Sequence, residues 1–226
     1  GVQTCALPIS ISQGTRQQIY RRFGRDALVV TPAVDNIFTV QAATRVNQVL
    51  SEYGVQAPYL LNVATWEPRK NVAALVKAFL SLKQCGKLPQ HSLVLAGHPG
   101  RASTEVMGLV QSAGNHVKVL GYVPREDLPC LFSGADAFVF PSLYEGFGMP
   151  VAEALACGTR VVTTDSMELR EAGGDRCIYI EPSEAGIKLG IELACCQPFE
   201  QSRPNPQYTW SDGAAVLAME INRLLK

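Results

Sequence analysis

Six short, almost wholly apolar strings, spaced along the second three quarters of the chain, limit what it can fold into more than any other feature. They are YLLNVA (59–64), SLVLAG (92–97), VKVL (117–120), AFVF (137–140), RVVTT (160–164) and CIYI (177–180). A strand with one wet face alternates apolar and polar residues; strands this uniformly apolar must be covered on both faces. Between them run amphipathic stretches such as NVAALVKAFLSLKQCG, which sets Val72, Leu75, Val76, Phe79 and Leu82 on one helical face. Strand and helix alternating at this spacing predict an α/β chain with a doubly wound, Rossmann-like parallel sheet.

The flanks read differently. SQGTRQQIYRRFG (12–24) has the form of a capped helix closed by glycine, and ALVVTP (27–32) that of a strand, one αβ unit without companions. A polar helical segment follows at 40–53. Beyond Pro182 we expect a helix over 184–196, a loop in QPFEQSRPNPQ (197–207) and a capped helix in TWSDGAAVLAMEINRLLK (209–226). The opening GVQTCALPI (1–9) resembles the translation of a sequencing adapter, which makes Cys5 uninformative. The expected division is 1–9 non-native, 10–36 a remnant of a preceding domain with its linker, and 37–226 the sheet domain.

Several function classes drop out on composition. Lys plus Arg and Asp plus Glu number 20 each, so no stripe for nucleic acid and no attraction to an anionic membrane are expected, and any anion site must be local. No apolar run approaches the roughly 20 residues of a membrane span. The seven cysteines form no CxxC pair, and Cys195 and Cys196 are adjacent, poorly spaced for metal, so reduced thiols and a cytoplasmic setting are expected, with no metal.

In doubly wound sheets ligands bind beyond the carboxyl ends of the strands, where helix amino termini offer free N–H groups. Two such turns stand out. In TWEPRKN (65–71), opened by Thr65, the cations of Arg69 and Lys70 adjoin the probable cap Asn71 and are suited to phosphates; a basic pair on a solvated loop, with Glu67 pairing one of them and Trp66 packing, is the alternative. In SLYEGFGMPVAEALACG (142–158), Pro150 suits a first helical turn and Gly158 the position past its end, predicting a helix near 149–157. Gly146 and Gly148, alternating with Phe147 and Met149, allow close backbone approach to a ligand.

Glu145 then lies before that helix and Glu153 about one turn inside it. A carboxylate accepts paired hydrogen bonds from vicinal hydroxyls, which makes Glu153 the ribose candidate. Glu145, nearer the phosphates, needs another purpose, such as hydroxyls of a sugar attached to them. A nucleoside-diphosphate sugar satisfies both. A surface helical Glu153 and a Glu145 that caps or salt-bridges are the alternative. GFGMPVA also has the form GxGxxxA, with Asp165 about 20 residues on, as in an NAD site. The loop PSLYE between strand and glycine, and the motif's late place in the sheet, count against that reading.

Taken together, NVATWEPRKN, LVLAG, VLGYVPREDLPCLFSGADAFVFPSLYEGFGMPVAEALACGTRVVTTD and REAGGD, spanning about Tyr59 to Pro182, resemble the group 1 glycosyltransferases, the family 4 retaining enzymes of GT-B fold. The resemblance implies the carboxy-terminal, donor-binding half of such an enzyme. Lys70, with Arg69, would bind the donor diphosphate, and Glu145 the donor sugar, as a positioning group and not a nucleophile. The backbone of Gly146, Phe147, Gly148 and Met149 would approach sugar and phosphates, Glu153 the ribose, and Gly121, Tyr122 and Val123 the nucleobase. It further implies a UDP- or GDP-sugar donor of mannose or glucose type, EPRKN leaning to mannose; a saccharide or lipid-linked glycan acceptor; retention by front-face attack assisted by the leaving phosphate; and no cofactor or obligatory metal. Membrane association is not indicated.

The chain departs from the family at Ala64, usually Gly, and Thr65, often Arg, so that Arg69 takes up the phosphate role. HPG (98–100) sits in a glycine loop with His98 structural or exposed, and neither His91 nor His116 points to catalysis. The acceptor side of this fold belongs to an amino-terminal domain of which residues 10–35 are the expected remnant. A non-catalytic nucleotide-sugar-binding module acting through a partner chain is the reading from a different class.

Overall fold

The computed structural model describes residues 8–101, 103–196 and 209–224. The six apolar strings form one parallel sheet: β3 (Tyr59–Val63), β4 (Ser92–Ala96), β5 (Val117–Gly121), β6 (Ala137–Phe140), β7 (Val161–Thr164) and β8 (Cys177–Ile180), in the order β5-β4-β3-β6-β7-β8. Two earlier strands, β1 (Ile9–Ser10) and β2 (Leu28–Val29), make a separate parallel pair flanking α1 (Gln13–Phe23). The strand expected over 27–32 is thus two residues long among the described residues, Leu28 and Val29, paired with Ile9 and Ser10.

Within each apolar string, neighbouring residues go to opposite cores, as the two-residue period of a strand requires. Leu61, Val94, Phe138 and Val161 join one core with α2 (Ala43–Glu52), α5 (Leu128–Gly134), α6 (Met149–Ala156) and α7 (Met167–Gly173). Leu60, Leu93, Leu95, Val139 and Val162 join the other with α3 (Val72–Gln84), α4 (Ser103–Ala113) and α8 (Glu184–Cys196). The expected face of α3 is the buried one: Val72, Leu75, Val76, Phe79 and Leu82 are at most 2% exposed. At roughly 25 cal/mol per Å² of apolar surface removed from water, these two layers dominate the folding free energy.

α2 begins at Ala43, three residues later than the polar pattern implies, with no side chain capping it. The last helix, α9 (Trp210–Leu224), is capped as expected by Thr209, whose Oγ1 accepts from the Asp212 N–H at 3.2 Å. The loop expected over 197–207, residues 1–7 of the opening segment and the final two residues lie outside the described residues. No helix among the described residues is long and apolar enough to cross a membrane.

Candidate functional site

The strand order has one reversal point. The chain runs outward from β3 through β4 to β5, then returns to lay β6 against the other side of β3, pairing Leu60 with Ala137 and Leu61 with Phe138. A crevice opens where connections depart in opposite directions, beyond the carboxyl ends of β3 and β6. The two turns singled out by sequence are the ones that follow these strands.

The first is stiff. Pro68–Lys70 form a single 3-10 turn, and Asn71 takes the left-handed conformation at φ 57°. Contrary to expectation, the Asn71 side chain does not cap α3; its Nδ2 donates to the Pro182 carbonyl at 2.9 Å, tying the turn to the loop after β8. Trp66 is fully buried, and Glu67 accepts from Arg69 Nε at 2.9 Å, as anticipated. The second turn is fastened to the first: the Leu143 N–H donates to the Arg69 carbonyl at 2.7 Å, and Ser142 Oγ lies 3.0 Å from the same oxygen.

Glu145 sits where they meet. Its carboxylate is 9% exposed and accepts from Lys70 Nζ at 2.5 Å and Arg69 Nη1 at 3.3 Å. Ser142 Oγ lies 2.6 Å from the same Oε1 that Lys70 contacts. The Lys70 ammonium, 11% exposed, also lies 4.8 Å from the centre of the Phe140 ring. Two cations and a hydroxyl thus hold one carboxylate. From sequence, a salt-bridged Glu145 is expected only as the alternative and without named partners; the meeting of Lys70, Arg69 and Ser142 on one carboxylate is not foreseen.

Gly148, the residue before α6, has φ 103°, and a Cβ there would lie 2.6 Å from Leu169 Cδ2, so both conformation and packing demand glycine. Phe147 turns into the core rather than towards a ligand, at 3% exposed, and Met149 packs partly against the same core. Glu153, on α6, has a side chain 13% exposed. Its nearest cation is Arg125 Nη2, at 3.9 Å, and Arg125 also reaches Asp35 at 3.6 Å and lies over Phe38 at 5.4 Å. Burial pushes the Glu153 carboxyl above its ordinary range, Arg125 opposing the shift and Asp35 adding to it.

The expected nucleobase segment lies two strands from the switch point. Gly121 ends β5 with φ 70°, Tyr122 is 74% exposed and Val123 is buried. Arg125, two residues on, connects this segment to Glu153, a link the sequence signals only by a lone cation near the glycine. Thr65, exposed, opens the first turn, where the Trp66 N–H donates to the His98 carbonyl at 3.1 Å. His98 itself is exposed. His91 does have a partner, Asp136 at 2.9 Å, but both precede their strands, at the opposite end of the sheet from the turns. Asp165, the ribose residue of the NAD reading, is exposed and doubly bonded to Arg170, at 2.5 and 2.8 Å.

Comparison with known proteins decides the family: residues 51–184 match the model of glycosyl transferases group 1. The chain belongs to the group 1 glycosyltransferases. This glycosyltransferase chain is 33% identical over 189 residues to the O-antigen chain mannosyltransferase B of Escherichia coli, covering 81% of itself and 49% of that protein. It is 31% identical to the serotype-specific mannosyltransferase WbdA of the same organism, covering 96% of itself and 29% of the relative. It therefore spans half or less of these relatives. Among solved structures, sucrose-phosphate synthase of Thermosynechococcus elongatus superposes with a TM-score of 0.77 at 22% identity, over 96% of this chain and 58% of that one. Anabaena Alr3699/HepE, solved in complex with UDP and glucose, gives 0.72 at 22%, over 97% and 62%. The doubly wound sheet has the GT-B fold of these glycosyltransferases, matched over somewhat more than half of each of their chains.

Proposed function

We propose that this glycosyltransferase chain binds the donor, a UDP- or GDP-linked sugar of mannose or glucose type, for a transfer with retained configuration to a saccharide or lipid-linked glycan. The observation that carries the reading is the meeting of Lys70, Arg69, Ser142 and Glu145 at the switch point, with Glu153 buried nearby on the helix that the glycine turn opens. Names of relatives that are mannosyltransferases support a mannosyl donor.

The chemistry follows from the charges. Breaking the bond between anomeric carbon and phosphate leaves negative charge on the departing diphosphate, and pre-positioned cations stabilise that charge more in the transition state than before it. Lys70 and Arg69 fill this role. Their charge is balanced by Glu145, so the diphosphate takes over part of their coordination and frees carboxylate oxygens for hydroxyls of the sugar. Glu145 then orients the sugar for attack from the face on which the leaving phosphate departs, with that phosphate accepting the acceptor's proton. Glu153 meets the ribose, whose two hydroxyls supply donors to a carboxylate whose one ion-pair contact among the described residues is Arg125 at 3.9 Å.

Calorimetric titration with UDP-glucose, GDP-mannose and NADH, repeated on Glu153→Ala, tests this. Binding of one sugar nucleotide, weakened roughly tenfold by the substitution, is the expected result, on the scale of a charge-assisted hydrogen-bond pair. Binding of NADH alone, or sugar-nucleotide affinity indifferent to Glu153, overturns the assignment.

A further inference from the structure

Helix α1, which precedes the six-stranded sheet in the chain, touches the site loop on both sides of Glu145. The Thr15 hydroxyl donates to the Gly146 carbonyl at 3.1 Å, and one turn further along the same helical face Gln18 Oε1 accepts from the Tyr144 hydroxyl at 2.9 Å. These pairs are 131 and 126 residues apart in sequence. Ile11 completes the contact: a Cβ at Gly146 would lie 2.9 Å from its Cδ1.

The helix is itself held in place. Both oxygens of Glu171 accept from its first amides, Gln13 and Gly14, at 2.8 Å each, and buried Glu168 accepts from Gln18 Nε2 at 2.6 Å. Ser12, fully buried, caps the helix by accepting the Thr15 N–H at 3.0 Å, and its own hydroxyl lies 3.0 Å from Thr15 Oγ1. With Ser12 donating to Thr15 Oγ1, the Thr15 proton is left for the Gly146 carbonyl. That carbonyl belongs to the peptide plane it shares with the Phe147 N–H, and in a trans peptide the two point in opposite directions. Fixing Gly146 C=O against α1 therefore fixes the Phe147 N–H towards the other face of the turn.

We propose that Thr15 is a positioning residue for the donor site: through Gly146 it sets the orientation of the turn that carries Glu145 and presents backbone amides to the donor. The inference rests on the donor-binding reading above but has a readout independent of it. In Thr15→Val, sugar-nucleotide affinity falls roughly three- to tenfold, the weight of one net hydrogen bond, and amide exchange in residues 142–150 quickens while exchange in α8 stays as in the wild type. Thr15→Ser, which keeps the hydroxyl, restores both. Thr15→Ala carries the same expectation as Thr15→Val and serves if the valine variant loses its fold. Unchanged exchange in the turn on loss of the hydroxyl overturns the proposal, as does faster exchange with affinity unaltered. Should the wild-type chain bind no sugar nucleotide, the donor reading falls and takes the donor-site role of Thr15 with it; exchange quickened in valine and restored in serine would then show that Thr15 still orients the turn, and equal rates in all three would sink that as well.

Discussion

Glu145 and Glu153 are eight positions apart, nearly equally buried, and held in opposite ways. Glu145, 9% exposed on a loop, is surrounded by Lys70, Arg69 and Ser142. Glu153, 13% exposed on a helix, has only Arg125 at 3.9 Å, and burial raises its pKa above the usual carboxylate range. A buried charge is tolerable when paired and hydrogen-bonded, and otherwise drifts towards neutrality. Burial alone therefore does not define a functional carboxylate. One of these has its acceptors filled by Lys70, Arg69 and Ser142; the other has Arg125 at 3.9 Å and a raised pKa, so under the proposed function the first exchanges partners on binding a donor and the second gains them.

The largest break in this comparison comes from Glu145→Ala. It strands the Lys70 ammonium, 11% exposed, against the Phe140 ring without its carboxylate. Removing one member of a buried pair costs several kcal/mol, and with Arg69 44% exposed the loss here is about 2–3 kcal/mol, seen as a fall in Tm of roughly 5–10 °C. Lys70→Met in the same chain recovers part of that loss, with a coupling above about 1 kcal/mol in the double-mutant cycle. Additive losses would show that the pair is not coupled in solution.

Glu153→Gln should move stability the other way, by less than about 1 kcal/mol at neutral pH. The sign follows from linkage. A carboxyl whose folded pKa is raised binds its proton more tightly in the folded state, so its contribution is most favourable below the ordinary carboxylate pKa and declines as pH rises through the raised value. The neutral amide escapes that decline. Its advantage in chemical denaturation therefore grows from acid to neutral pH and vanishes in acid; an advantage independent of pH would place its cause outside Glu153 ionisation. The same substitution weakens donor binding, so the residue lowers stability in exchange for function.

The sheet was readable in sequence because its inner strands β3, β4, β6 and β7 are covered on both faces and so form almost wholly apolar strings; the edge strand β5, with Lys118 and a 36% exposed Val119, is the weakest of them. Which residue of each string faces which core was not, since Leu60 and Leu61, or Val161 and Val162, are chemically alike and only the pleat separates them. Of the site, the turns at residues 65–71 and 142–148 were legible from glycine, proline and charge, while the roles proposed within them come from family resemblance. The contacts between them were not: Lys70 and Glu145 are 75 residues apart, and only strand order brings them together. Ser142 and Glu145 are three apart, so that signal was within reach, a hydroxyl one short loop from a carboxylate. The Asn71 cap failed because a left-handed backbone aims its amide at Pro182 instead.

The smallest expected effect sharpens the comparison most, because it concerns the one cation near Glu153. Arg125 is 56% exposed and shared between Asp35 and Glu153, at 3.6 and 3.9 Å, so it partly offsets the burial of Glu153 without forming a close pair. Arg125→Gln then shifts stability by no more than about 0.5 kcal/mol, the range of exposed pairs. It should nevertheless raise the Glu153 pKa further, since the opposing charge is gone and Asp35 remains, and carboxyl-resolved NMR titration would register the move. Salt gives an independent check. Raising ionic strength from about 0.1 M to about 1 M shortens the screening length from ~10 Å to ~3 Å. In the wild type this weakens the influence of Arg125 and moves the Glu153 titration towards that of Arg125→Gln, while the buried Lys70–Glu145 contact is little screened. A Glu153 titration insensitive to both salt and substitution would mean that burial alone sets it and that Arg125 serves the linker at Asp35 and Phe38 instead.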